Sequence, residues 1–211
     1  METIARRSPV VFDRPVKKSE IRGNWDIVLE YEDEGPGPYL IDLSHRSRWD
    51  IQDKELDRFK PWELKIPETP CHCLFQNGIL INRMNRTQAA IWHLADENVE
   101  EPKESAYTET TDSTVFLGLY GGKIVFSIVE KLTSLDFLDP GQVTPFLLQG
   151  PFAHVPCQIV AMEKNDERSG ILLTCSRGYA MDMVDAILDA GAEFGLQPTG
   201  EKAFHSWIGN L

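Results

Sequence analysis

Apolar and polar positions alternate through residues 25–31 (WDIVLEY), which puts Trp25, Ile27, Leu29 and Tyr31 on one face of a strand. EDEGPGP at 32–38 then reads as an exposed turn. Residues 39–43 and 48–52 read as short strands on either side of a polar stretch at 44–47. Residues 53–71 are polar and carry Pro61, Pro67 and Pro70, the pattern of an irregular crossover. Residues 71–75, 78–84 and 88–94 predict a meander of short strands, with QNG at 76–78 as a tight-turn signal. In the last of these, Ala89, Ile91, Trp92 and Leu94 suit a strand buried on both faces.

The pattern changes after residue 112. Residues 113–120 (STVFLGLY) predict a strand that ends at Gly121-Gly122. Residues 123–132 follow with Ile124, Val125, Ile128, Val129 and Leu132 on one helical face. Residues 138–145 (LDPGQVTP) are a loop, and 157–163 and 170–175 are two strands joined by the polar turn KNDERS. A second amphipathic helix covers 180–194, with Ala180, Val184, Ile187, Leu188 and Gly191 at helical spacing. Gly195 caps it and Pro198 blocks its continuation. This order, β-α-loop-β-β-α, is the split βαβ pattern of a ferredoxin-like half. The expectation is one α+β body over 25–211, made of two packed halves. Residues 1–24 lack sustained periodicity and lean basic, with Arg6, Arg7, Arg14, Lys17, Lys18 and Arg22 against Glu2, Asp13 and Glu20. They read as an N-terminal arm, either extended or ordered against a partner.

The chain has 211 residues, enough to bury about 70% of its unfolded surface without a disulfide or metal staple. Net charge is −12, so the chain lacks a general attraction to phosphate backbones or anionic lipid. Nucleic acid and membrane partners are therefore not expected. Seven acids and one lysine fall in 95–112, read as a solvated loop or, alternatively, an acidic docking surface. No apolar run is long enough to span a membrane or to form a secretory signal. The expected location is cytoplasmic, with Cys71, Cys73, Cys157 and Cys175 as free thiols.

Four groups of residues invite a chemical reading. Asp42, Ser44 and His45 lie within four positions, but a triad is defined by geometry and Ser44 has no elbow motif, so a polar turn is the preferred reading. Cys71-His72-Cys73 is metal-like, although structural zinc more often uses paired C-x2-4-C knuckles. No metal is assigned, and small buried thiols are the alternative. Gly118, Gly121 and Gly122 precede a helix but match no nucleotide-binding motif, which leaves a tight strand-to-helix turn. Trp62 and Trp207 stand in loop-like segments near the two ends of the body and are candidates for a partner surface.

Several phrases resemble the folate-binding domain of the glycine cleavage T-protein (aminomethyltransferase) family. They are Tyr39-Leu40-Ile41-Asp42-Leu43-Ser44-His45, Asn77-Gly78-Ile79-Leu80, Asp112 through Leu119, and Gly195-Leu196-Gln197-Pro198-Thr199-Gly200 with Ala203. They occur in the family's order over roughly 39–205. The resemblance implies a T-protein-like folate-binding module, here without a further C-terminal domain. It also implies a carboxylate just after the glycine and hydrophobic pair, where this sequence has Ile81-Asn82. A second family phrase with folate-contacting acids aligns with Thr174 to Ala180, where those acids are also missing. Arg177-Gly178-Tyr179-Ala180, the following helix and its Ala/Gly-Glu-Phe-Gly end are most similar to the gamma subunit of heterotetrameric sarcosine oxidase. That resemblance implies a non-catalytic small subunit of a folate-linked amine-oxidising or demethylating complex, partnered by larger flavoprotein and folate-binding subunits. No catalytic residue is then expected on this chain. Asn82, His45 and Arg177 are the pterin-pocket candidates, with Asn82 able to orient a pterin or simply to satisfy backbone at a strand end. The resemblance assigns no cofactor to this chain itself, with tetrahydrofolate as the alternative, and places flavin in a partner subunit. The alternatives are a stand-alone tetrahydrofolate-dependent aminomethyl- or methyltransferase using Asp42, His45 or Glu201, and a folate-binding regulatory protein.

Overall fold

A computed structural model describes residues 6–95, 102, 104–164 and 167–209. The chain opens with a hairpin, β1 (Val16–Arg22) antiparallel to β2 (Trp25–Tyr31). Next come β3 (Tyr39–Asp42), β4 (Arg48–Gln52), β5 (Cys73–Gln76), β6 (Ile79–Arg83), β7 (Gln88–His93), β8 (Tyr107–Glu109) and β9 (Thr114–Tyr120). Helix α1 (Ile124–Val129) leads into β10 (Phe146–Phe152), β11 (Val155–Glu163) and β12 (Gly170–Ser176). Helix α2 (Ala180–Gly191), β13 (Gln197–Thr199) and helix α3 (Glu201–Ile208) complete the order. The result is an α+β fold with two larger sheets. One runs β10-β11-β12-β9-β3-β13 and the other β5-β6-β7-β4-β8.

The apolar runs set the layers. Along β9, Val115, Leu117 and Leu119 face α1 and α2 and meet Val125, Ile128, Met183, Val184 and Ile187. Phe116, between them, faces the other way, into a core that the two sheets share with Ile41, Leu43, Leu80, Trp92 and Leu172. Each such side chain contributes roughly 1.5–3 kcal/mol relative to exposure. The crossover at 53–71 covers the outer face of the five-stranded sheet, where Leu56, Phe59, Leu64 and Ile66 pack on Trp49, Ile51, Ile79 and Ile91. The turn before α1 holds Gly121 at φ 136° and Gly122 at φ 89°, conformations that residues with a Cβ rarely adopt. Both amides donate to the Ser169 carbonyl at 3.3 Å, so the strand-to-helix turn uses them itself.

Several expectations change. Residues 1–24 are not only an arm: 16–22 form β1, and Val10 and Phe12 are buried in the core beside the helices. The strand has no apolar alternation because its side chains are exposed or half-buried, and it forms by pairing along β2. The expected β-α-β-β-α order gains β10, an edge strand whose Gly150-Pro151 disguised it; proline is tolerated at an edge. Strand β3 inserts between β9 and β13, pairing antiparallel with one and parallel with the other. The acidic segment 95–112 contains β8, while 96–101 and 103 lie outside the described residues, as do 165–166 of the KNDERS turn. Trp207, expected at a partner surface, is buried at 4% exposure. It lies on the apolar side of α3, stacks on Tyr120 at 4.8 Å and donates its indole N–H to the Arg168 carbonyl at 2.8 Å. Trp62 is half-buried, leaning on Trp49 at 5.4 Å and His93 at 6.2 Å. Among the described residues no helix is long and apolar enough to cross a membrane.

Candidate functional site

Strand β3 ends at Asp42 and the chain turns sharply through Leu43, Ser44, His45 and Arg46. Asp42 Oδ1 accepts the Ser44 amide at 3.0 Å, a local turn that short acidic side chains favour. The Ser44 hydroxyl accepts the Phe116 amide at 3.2 Å, and the residue is fully buried. Asp42 and Ser44 therefore fix the turn, and the Ser44 hydroxyl and His45 Nε2 are directed to different partners, the Phe116 amide and Glu201. The turn leaves Asp42 and His45 lining a cavity of about 370 Å³ under the amino-terminal hairpin, together with Trp25, Ile27, Tyr31 and Thr199. Burial, and then the nearby Asp42 charge, pushes the Tyr31 phenol upward.

Behind His45 stands a buried ionic cluster. Gly200 precedes α3 at a point where any Cβ would overlap the Leu29 backbone, so only glycine lets α3 begin this close to β2. Glu201 then opens the helix with its side chain fully buried. It accepts from His45 Nε2 at 2.6 Å, Arg46 Nη2 at 2.5 Å and Arg22 Nη2 at 2.8 Å. Burial alone would raise the Glu201 carboxyl, but the His45 hydrogen bond and the charges of Arg46 and His45 outweigh it and hold it well below the usual range. Its place in the first turn of α3 favours the anion further. Arg46 also donates to His205 Nε2 at 2.7 Å and to the Leu94 carbonyl at 3.1 Å. The cluster ties β1, the turn after β3 and α3 together.

The three pterin-pocket candidates do not converge. His45 lines the cavity. Arg177 lies at the start of a 3-10 turn before α2 and is not part of the cavity wall; its Nη2 donates to the carbonyl of Arg7, a lining residue, at 3.1 Å. Asn82 sits between Cys73 and Ala90 in the five-stranded sheet, fully buried, with neither side-chain amide atom hydrogen-bonded. By alternation it shares the face of Leu80 and points into the core between the sheets. The cysteines divide as well. Cys157 and Cys175 lie on the helix side of the six-stranded sheet, whereas Cys73 packs in the inter-sheet core, so the fold does not unite them as one ligand set. Burial raises the Cys73 thiol, the state of an inert, protonated sulfur. Sequence reasoning missed Thr199, Arg22 and Arg46 as parts of this region. The one available signal was the Gly200-Glu201 helix start.

No protein-family model matches the sequence, and no curated protein matches it. Solved structures do. One is heterotetrameric sarcosine oxidase from Corynebacterium sp. U-96, with a TM-score of 0.60 and 11% identity over 74% of this chain and 84% of the matched one. Another is glycine cleavage system aminomethyltransferase T from Bartonella henselae, with a TM-score of 0.54 and 12% identity over 88% of this chain. The fold is T-protein-like. Within that T-protein-like frame, this chain spans 56% of the aminomethyltransferase. The two coverages of the sarcosine oxidase match imply a matched chain of nearly this one's size.

Proposed function

We propose that this chain is a small, gamma-type, non-catalytic subunit of a heteromeric folate-linked amine-oxidising or demethylating complex. The observation that carries the reading is Asn82. Where the T-protein resemblance expects a catalytic carboxylate, this chain has a neutral amide, fully buried between the sheets and without a hydrogen-bond partner among the described residues. One-carbon transfer on reduced folate needs a charged group to orient the amine or to stabilise positive charge as it develops, and Asn82 supplies none. The size-matched chain in heterotetrameric sarcosine oxidase supports the same reading. On this reading, flavin and folate belong to larger partner subunits. The second half is read as ferredoxin-like, because β12 lies between β9 and β11 with both helices on one face. The test is affinity capture from the native source followed by mass spectrometry and a flavin absorbance scan. Large flavoprotein subunits in fixed ratio are expected; a chain that elutes alone and flavin-free would overturn the proposal.

A second reading, a tetrahydrofolate-dependent transferase, rests on Asp42 and the His45–Glu201 pair at the cavity, since a paired histidine and carboxylate can move protons. Titration calorimetry of the purified chain with tetrahydrofolate separates the two. Micromolar binding with one-carbon transfer selects the enzyme; an absence of heat removes it.

A further inference from the structure

Two of the four cysteines form a pair that the candidate site does not use. Strands β11 and β12 run antiparallel, with Gln158 opposite Thr174. One step further in the same register, Cys157 stands opposite Cys175, and both side chains pack on the helix side of the six-stranded sheet. Directly opposed residues of an antiparallel pair hold their Cα atoms about 4.5–5.5 Å apart, inside the span that a disulfide bridges. The Cys157 S–H has two acceptors, the Val155 carbonyl at 3.3 Å and the Cys175 sulfur. The hydrogen bond to Cys175 raises the Cys157 thiol and lowers the Cys175 thiol, which makes Cys175 the readier thiolate. Cys73 has no such help, and burial raises it. The pair sits near the end of both strands, one residue from exposed Pro156 and Ser176, and keeps 6% and 4% exposure. A bulky oxidant does not suit that opening; hydrogen peroxide, little larger than water, does.

We infer that Cys157 and Cys175 are an oxidation site, converted by hydrogen peroxide to a reversible disulfide across β11 and β12. The Cys175 thiolate attacks one peroxide oxygen. An S–O bond forms, the O–O bond breaks, and the departing hydroxide takes up a proton as water. Cys157 then gives up its proton and attacks the Cys175 sulfenic sulfur. The S–S bond forms, the S–O bond breaks, and a second water leaves. Two thiols and one peroxide thus give one disulfide and two waters, with the sulfurs oxidised and the peroxide reduced. The new bond staples β11 to β12 where the chain leaves the sheet for α2. The inference does not rest on the subunit reading and stands whichever of the two functions holds.

The test exposes the reduced, folded full chain to hydrogen peroxide, removes the excess with catalase, and alkylates the remaining thiols with iodoacetamide in denaturant. Trypsin cuts after Lys164 and Arg168, so the two cysteines fall in separate peptides and a link between them is read directly by mass spectrometry. The expected result is loss of two of the four alkylatable thiols, a peptide pair joined at Cys157 and Cys175 within one chain, and alkylated Cys71 and Cys73. Dithiothreitol should restore all four thiols. In Cys157→Ala the order of attack predicts a sulfenic acid at Cys175, trapped by dimedone, whereas Cys175→Ala should leave Cys157 a thiol. The parent chain carries the main comparison by itself, so a variant that does not fold leaves the test intact. Four alkylated thiols after peroxide, a link to Cys71 or Cys73, a link only between two chains, or irreversible oxidation of the pair without a link would each overturn the inference. Greater oxidation of Cys157 in Cys175→Ala than of Cys175 in Cys157→Ala would overturn the order of attack. None of these outcomes bears on partner subunits, which the affinity capture tests.

Discussion

Glu201 keeps its charge with a side chain that water does not reach, because three cationic or protonatable partners surround it. An unfolded glutamate titrates near 4.3, and the folded carboxyl lies lower. Its contribution to stability is therefore complete above about pH 4.3 and is lost as pH falls through the lower folded value. Glu201→Gln is expected to cost about 3–5 kcal/mol at pH 7, since Arg46 is left buried without its carboxylate. It should also flatten the acid limb of a urea-midpoint-versus-pH curve. An acid limb as steep as the parent's would contradict this. Asn82 makes the converse case. Its unpartnered amide sits among apolar neighbours, so Asn82→Leu should be neutral or stabilise by up to about 2 kcal/mol in urea unfolding. Loss of more than about 1 kcal/mol would mean that the amide has a partner. Neither residue discloses its surroundings in the sequence. The Glu201 partners lie 155 to 179 positions away, and no spacing rule links positions so distant.

Elements were legible where apolar alternation, or an apolar run buried on both faces, carried them. Strands β2 and β4 have the bounds that the pattern predicts, and β9 and β12 match within a residue. Elements held by pairing or by neighbours were not. Strand β1 is polar throughout, β10 contains Gly150-Pro151, and β13 has three residues docked in parallel on β3. Helix α3 was hidden because it is short and buries a glutamate together with Phe204 and Trp207; its docking depends on Gly200. Gly200→Ala forces α3 away from Leu29 and should cost about 1–3 kcal/mol through overpacking, lowering the melting temperature and loosening the Arg22–Glu201 contact. A melting temperature equal to the parent's would contradict the close approach of α3 and β2.

Across the molecule, the two larger sheets share one apolar core that α3 also enters, with α1 and α2 on one side and the crossover on the other. This frame is T-protein-like at 11–12% identity, so packing has kept the architecture where little of the sequence pattern persists. The ordered phrases at 39–45 and 195–200 pointed to the frame because they fall where the chain must turn or approach closely, at Asp42, Gly195 and Gly200. The cavity was not legible, since its lining comes from five separated segments. The subunit proposal depends on the scaffold having lost its reactive carboxylate while keeping its shape. Native mass spectrometry of the tagged chain purified from its source tests that most directly. The predicted result is a hetero-oligomer in which this chain accompanies larger, flavin-bearing subunits at constant stoichiometry. A lone chain that by itself transfers a one-carbon unit to or from tetrahydrofolate would contradict it.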